Sequence, residues 1–208
     1  MISERIGQWV RHYMLHVGQW LSRTGMTANM ATLLGFLLNA GVAAVIASGH
    51  PRIGGVLLLI ASAFDMVDGA IARATNSVSK FGGFFDSTLD RYSEIVVYVG
   101  LLVWLNQTRD DHIGALLTLI AATGALMISY ARARAEAIGY GASVGLLARP
   151  ERVVLLAACL IINQPLWALW VLAVATHLTA VWRIVHVWRL TQAEERADTA
   201  PRAGPTRK

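Results

Sequence analysis

Asp65-Met66-Val67-Asp68-Gly69-Ala70-Ile71-Ala72-Arg73 ends one long apolar run, and Gly82-Gly83-Phe84-Phe85-Asp86-Ser87-Thr88-Leu89-Asp90 begins the next. Asp65 and Asp68 are three residues apart, and Asp86 and Asp90 four apart, so each pair shares one face of a helix. The linker between the runs is short, which makes the two helices antiparallel neighbours and lets four carboxylates converge. Ionisable groups beside apolar runs are costly in lipid and as a rule face a polar cavity. The same charges therefore point to the fold class and to the place of the site.

Outward from this stretch the chain is apolar. It has 208 residues, 55% of them hydrophobic, and a mean hydropathy of +0.50, above that of a soluble domain. A bilayer span takes roughly 20 apolar residues. Six spans are expected: 30–49, from 53 through the first aspartates, from 82 with its apolar part over 95–105, 112–130, 151–162 and 166–190. Before them, Ile2, Ile6, Trp9, Tyr13 and Trp20 fall on one helical face, mixed with Arg5, Arg11 and Arg23. That is the pattern of an amphipathic helix lying on the membrane surface. The expected organisation is all-α and polytopic: a juxtamembrane helix over 1–24, a six-helix membrane domain over 25–191, and a disordered polar tail over 192–208.

The net charge is +5, and 16 of the 18 basic residues are Arg. Only Arg52 and Arg109 lie near the far-side turns; by the positive-inside rule both termini and the site face the cytoplasm, across a cell membrane. Trp104, Trp167 and Trp188 fall near expected span ends, as an aromatic belt requires. No basic stripe interleaved with stacking aromatics is present, so nucleic acid is not among the expected partners. The single cysteine, Cys159, excludes an intramolecular disulfide and reads as a small buried hydrophobe.

Four convergent carboxylates repel one another unless protons or cations lie between them. An all-oxygen donor set suits a hard divalent ion, Mg²⁺ or Mn²⁺. Two such ions about 4 Å apart can clamp a phosphoryl group during displacement. The neighbouring residues suit that chemistry. Gly69 removes a side chain beside Asp68, Arg73 supplies a fork that matches phosphate, and Ser79 and Lys80 add a hydroxyl and a charge. Gly82 and Gly83 allow close packing where the second helix begins. The same carboxylates could instead serve a divalent-cation transporter, a reading in which Gly69, Ala72 and Arg73 have no purpose.

The spacing Asp65-x-x-Asp68-Gly69-x-x-Ala72-Arg73, eight residues, Gly82, three residues, Asp86, three residues, Asp90 resembles the CDP-alcohol phosphatidyltransferase signature at all eight fixed positions. At average residue usage a chance match at one start is on the order of one in 10 billion. The resemblance implies that Asp65, Asp68, Asp86 and Asp90 hold two metal ions and that Asp90 is also the catalytic base. It implies a CDP-lipid site made of Ala28, Asn29, Gly69, Ala72, Arg73, Ser79 and Gly82, with CDP-diacylglycerol or a related CDP-lipid as donor. It also implies a homodimer within the membrane.

The acceptor is read from a second cluster. Ser129-Tyr130-Ala131-Arg132-Ala133-Arg134-Ala135-Glu136 closes the fourth span, Arg149-Pro150-Glu151-Arg152 opens the fifth, and Arg183 lies in the sixth. Several arginines around one opening make an anion site, which a phosphorylated acceptor needs and a neutral alcohol does not. The segment is similar to the phosphatidylinositol phosphate synthase branch of the family. That resemblance implies inositol phosphate as acceptor and Arg132, Arg152 and Arg183 as its phosphate-binding residues, with Arg134 and Arg149 nearby. Arg132 stands where some members carry Lys, and Ala28 where Pro is common. Glycerol-3-phosphate is the alternative acceptor, as in the phosphatidylglycerophosphate synthases. Their Gly-Lys-x-Lys-Thr element is missing after the fourth span, where Gly139-Tyr140-Gly141-Ala142 stands.

Overall fold

The computed structural model describes His16, residues 18–107 and residues 109–199. After a short helical stretch at 18–22 come α1 Ala28–Ala47, α2 Pro51–Phe64, α3 Met66–Ala74, α4 Lys80–Gln107, α5 His112–Ala137, α6 Arg149–Ile161 and α7 Pro165–Thr199. No strand occurs among the described residues. The larger part of the expected surface helix over 1–24 lies outside them.

Local chemistry sets the helix starts. The Thr27 hydroxyl accepts from the Met30 amide at 3.3 Å and opens α1. Asp111 does the same for α5, accepting from the Gly114 amide at 2.8 Å. Pro51 and Pro150 stand in the first turns of α2 and α6, where a missing amide hydrogen leaves no bond unmade. Asp65 alone separates α2 from α3, and its own backbone is helical, so the two run on as one rod.

Four helical stretches are long and apolar enough to cross a bilayer: Ala28–Ala47, Pro51–Ala74, His112–Ala137 and Pro165–Arg196. They correspond to four of the six expected spans. The other two fall on α4 and α6. The first half of α4 carries Asp86, Asp90, Arg91 and Glu94. With 13 residues, α6 is about 20 Å long against a hydrocarbon core of about 30 Å.

The helices pack as an inner and an outer problem at once. Ile46, Leu101, Leu105, Leu160, Leu169 and Leu172 are fully buried. Yet Leu37, Ile60, Leu116, Trp170, Leu178 and Trp182 point outward and are exposed. Apolar faces on both sides are stable when lipid is the solvent. Against α1 lie α2, α3 and α4; α5 joins α4 to α7, and α6 leans on α2 and α7. Glycine sets the closest approach: a Cβ on Gly100 would collide with the Ala43 carbonyl, so α4 lies backbone to backbone on α1.

Two expectations change. Trp167 and Trp188 are exposed, but Trp104 is buried at 4% exposure, with the Arg109 guanidinium 5.4 Å from its ring centroid. Trp104 is thus a core residue capped by a cation, not part of an outer belt. The polar tail expected from 192 is helical as far as Thr199, because no Pro or Gly interrupts it before Pro201. The Tyr140 hydroxyl, in the α5–α6 connection, donates to Glu194 on this extension. That carboxylate holds the phenol above its usual range by disfavouring the phenolate.

Candidate active site

The junction of α2 with α3 and the first turns of α4 meet at one opening. Asp65 reaches it because Gly35, on α1, has no side chain: a Cβ there would lie 2.8 Å from Asp65 Oδ1. Asp68 sits in the first turn of α3, where its Oδ1 accepts from the Gly69 amide at 2.5 Å. Its Oδ2 accepts from the Thr32 hydroxyl at 2.7 Å. Asp86 and Asp90 project from one face of α4, one turn apart, and Asp86 lies close enough to Asp68 for their charges to act on one another. Two carboxylates so close need positive charge between them.

The other two aspartates are joined by an arginine. Arg149, the first residue of α6, donates from Nη2 to Asp65 Oδ2 at 2.8 Å and from Nη1 to Asp90 Oδ1 at 2.7 Å. Asp90 Oδ2 lies 3.9 Å from Arg91 Nη1. Among the described residues no three Asp, Glu, His or Cys side chains stand in a ready metal cage. The donors do suit divalent ions: four hard carboxylates, in two adjoining pairs around one opening.

A cleft with about 590 Å³ of empty space opens beside Asp68 and Asp86. Ala28, Asn29, Gly69, Ala72, Arg73, Ser79 and Gly82 all line it, together with Thr32 and Ser77. The Arg73 guanidinium lies over Gly69, where a Cβ would come within 3.2 Å of its Nη1. Ser79 accepts from the Gly82 amide at 2.9 Å and so fixes the start of α4. Thr32, Gly35 and Ser77 went unnoticed in the sequence; Thr32 and Gly35 lie outside the signature and Ser77 in its unspecified eight-residue gap, and only the approach of α1 and the turn before α4 brings them in.

The arginines do not form one ring. Arg152 donates from Nε and Nη2 to the two oxygens of Glu94, both at 2.8 Å, deep in the protein. Its Nη1 donates to the Leu147 carbonyl at 3.3 Å. Arg183 donates to the carbonyls of Ile128 at 2.6 Å and Val144 at 2.9 Å, pinning α7 to the end of α5 and to the α5–α6 connection. Arg132 and Arg152 lie close enough for their charges to act on Arg183. Arg132 itself pairs with Glu136 at 2.7 Å, half exposed, and Arg134 is exposed on α5. Glu94 is a fourth residue missed. It continues the ladder of Asp86 and Asp90 at the same spacing of four, which was a usable signal.

Fold and site together define a helical membrane protein with a carboxylate-rimmed cleft. The chain belongs to the CDP-alcohol phosphatidyltransferase family, whose model matches residues 25–189. It is 36% identical over 173 residues to the archaetidylinositol phosphate synthase of Methanothermobacter thermautotrophicus, covering 80% of this chain and 86% of that one. It is 34% identical over 190 residues to the phosphatidylinositol phosphate synthase of Mycobacterium tuberculosis, covering 86% and 88%. Crystal structures of a Mycobacterium tuberculosis phosphatidylinositol phosphate synthase superpose with a TM-score of 0.81 at 31% identity. One, with CDP-DAG bound, is covered over 84% of this chain and 93% of that chain. Another, in complex with manganese and citrate, is covered over 84% and 88%.

Proposed function

We propose that this enzyme transfers the phosphatidyl-type group of CDP-diacylglycerol, or of a related CDP-lipid, to inositol phosphate, releasing CMP and forming a phosphatidylinositol phosphate. One observation carries the reading: the seven residues assigned to the CDP-lipid line a single cleft, and two of the four signature aspartates, Asp68 and Asp86, stand on its wall. The names of its relatives, which join an inositol phosphate product to this family, support the acceptor.

The chain's residues divide the work by chemistry. Arg73 faces the cleft with a fork suited to the pyrophosphate of the donor. Asp65, Asp68, Asp86 and Asp90 would hold two divalent ions, Mg²⁺ or Mn²⁺. Such ions, when bound, neutralise the pyrophosphate and stabilise the departing CMP. Asp90 takes the proton from the acceptor hydroxyl. The hydroxyl oxygen then forms its bond to the β-phosphorus, and the bond from that phosphorus to the bridging oxygen breaks, its electron pair leaving with CMP. Arg132, Arg152 and Arg183 supply positive charge toward the acceptor phosphate. For Arg152 and Arg183 much of that is long-range, since their donors already face Glu94 and backbone carbonyls.

We also infer six spans, with α2 and α3 acting as one and α4 and α6 completing the set in the company of their neighbours. The excess of Arg at one end supports a cytoplasmic site and cytoplasmic termini in a cell membrane. The homodimer follows from the family resemblance.

An acceptor panel tests the reading. Purified protein with Mg²⁺ or Mn²⁺ and CDP-diacylglycerol is given 1D-myo-inositol 3-phosphate, glycerol-3-phosphate or free inositol, and CMP is measured. Release with the first alone is expected. Release only with glycerol-3-phosphate would replace the acceptor and keep the reaction class.

A further inference from the structure

We propose that Arg149 is a resident cation of the carboxylate site: a positioning residue that holds Asp65 and Asp90 together before a divalent ion arrives, and yields them when it does. The inference rests on reading the aspartates as metal ligands.

Its geometry differs from that of the other inward-facing arginines. Asp65 and Asp90 belong to different helices, and the fork of Arg149 spans them with one bond to each, 2.8 and 2.7 Å. The three side chains are largely shielded from solvent, with 26%, 14% and 20% exposure for Arg149, Asp65 and Asp90. Partly buried carboxylates facing each other across an opening need a countercharge, and here Arg149 provides it.

The bonding of Arg149 is also incomplete. Its Nε is buried without a hydrogen-bond partner, the single such side-chain atom among the described residues. Arg152, by contrast, has acceptors for Nε, Nη1 and Nη2. Arg183 has carbonyls for Nε and Nη1. Permanent structural arginines have their donors met; Arg149 does not, although its neighbours are two carboxylates. A guanidinium so placed competes directly with a divalent ion. It engages one oxygen of each carboxylate, and its charge repels an ion. Arg149 therefore opposes loading of the site for as long as it holds these oxygens.

The test uses the full chain in detergent and needs no turnover. Mn²⁺ is titrated into wild type, Arg149→Gln, Arg149→Lys and Asp68→Asn, and free Mn²⁺ is read by electron paramagnetic resonance. Thermal unfolding is followed in chelator and in saturating Mn²⁺. Arg149→Gln is expected to bind Mn²⁺ at least five-fold more tightly, to melt below wild type in chelator, and to show a larger Mn²⁺-induced rise in Tm. Arg149→Lys, which keeps the charge but loses the fork, is expected to fall between, and it decides the matter should the Gln variant fail to fold. Unchanged or weaker Mn²⁺ binding in the Arg149 variants overturns the inference alone. Unchanged Mn²⁺ binding in Asp68→Asn removes the metal-ligand reading and the inference with it.

Discussion

Glu94 on α4 and Arg152 on α6 form a two-pronged ion pair, Nε to Oε1 and Nη2 to Oε2, each 2.8 Å, with side-chain exposures of 10% for Glu94 and 3% for Arg152. It joins the helix that carries Asp90 to the helix that begins with Arg149. Removing one partner leaves a buried charge uncompensated, at a cost of about 3–5 kcal/mol, whereas replacing both by apolar residues is often neutral. Glu94→Ala is therefore expected to lower Tm sharply in detergent. A Glu94→Met, Arg152→Met double variant should melt near wild type. If Arg152 adds charge toward the acceptor phosphate, that double variant shows a raised KM for inositol phosphate and an unaltered KM for the CDP-lipid.

Asp90 is assigned two tasks, ligand and base, and Asp68 only one. Asp90→Asn should lower kcat by about 10²- to 10⁴-fold, the usual worth of a positioned base, while unfolding at a temperature close to wild type. A chelator should stop the wild-type reaction, and added Mg²⁺ or Mn²⁺ should restore it. Normal turnover in Asp90→Asn would remove its role as base.

Arg73 lines the cleft over Gly69. Lysine would keep the charge and lose the planar fork, a change that is not conservative at a bidentate site. Hydrogen bonds to charged groups contribute about 1.5–3 kcal/mol. Arg73→Lys is accordingly expected to raise the KM for the CDP-lipid by about ten-fold or more. The KM for inositol phosphate should move little. Steady-state kinetics with each substrate varied in turn separates the two.

Gly100 has no room for a side chain, because the Ala43 carbonyl occupies the space. Backbone cannot give way as a flexible side-chain tip can. Gly100→Ala should push α4 off α1, with a loss on the order of 1–3 kcal/mol as for other overpacked sites. Since α1 carries Thr32 and Gly35 and α4 carries Asp86 and Asp90, activity should fall with stability. Thermal unfolding and CMP release measured on one preparation check both.

The aspartates were legible in the sequence because helical spacing of three and four puts residues on one face wherever the helix goes. Gly69, Ala72, Arg73 and Gly82, which line the cleft, were legible because the signature ties them to those aspartates. What sequence spacing does not carry is contact across helices. Arg149 reads as one of several basic residues near an opening, and only the packing of α6 on α2 sets it between Asp65 and Asp90. Thr32 meets Asp68 across 36 positions of chain, with nothing local to announce it. Glu94 is a different case. Its place in the ladder of Asp86 and Asp90 was visible, but an acid at the edge of an apolar stretch gives no hint of its partner. The helical extension to Thr199 was likewise written in the absence of Pro and Gly before Pro201, beneath a polar composition that suggested a tail.

The most direct measurement is a mass balance on one reaction: CDP-diacylglycerol, 1D-myo-inositol 3-phosphate and Mg²⁺ or Mn²⁺, with lipid products identified by mass spectrometry and CMP counted in parallel. Equal amounts of CMP and a phosphatidylinositol phosphate are expected, with neither formed by Asp90→Asn. CMP without an inositol-bearing lipid, or an unchanged yield from Asp90→Asn, would contradict the assignment of this site.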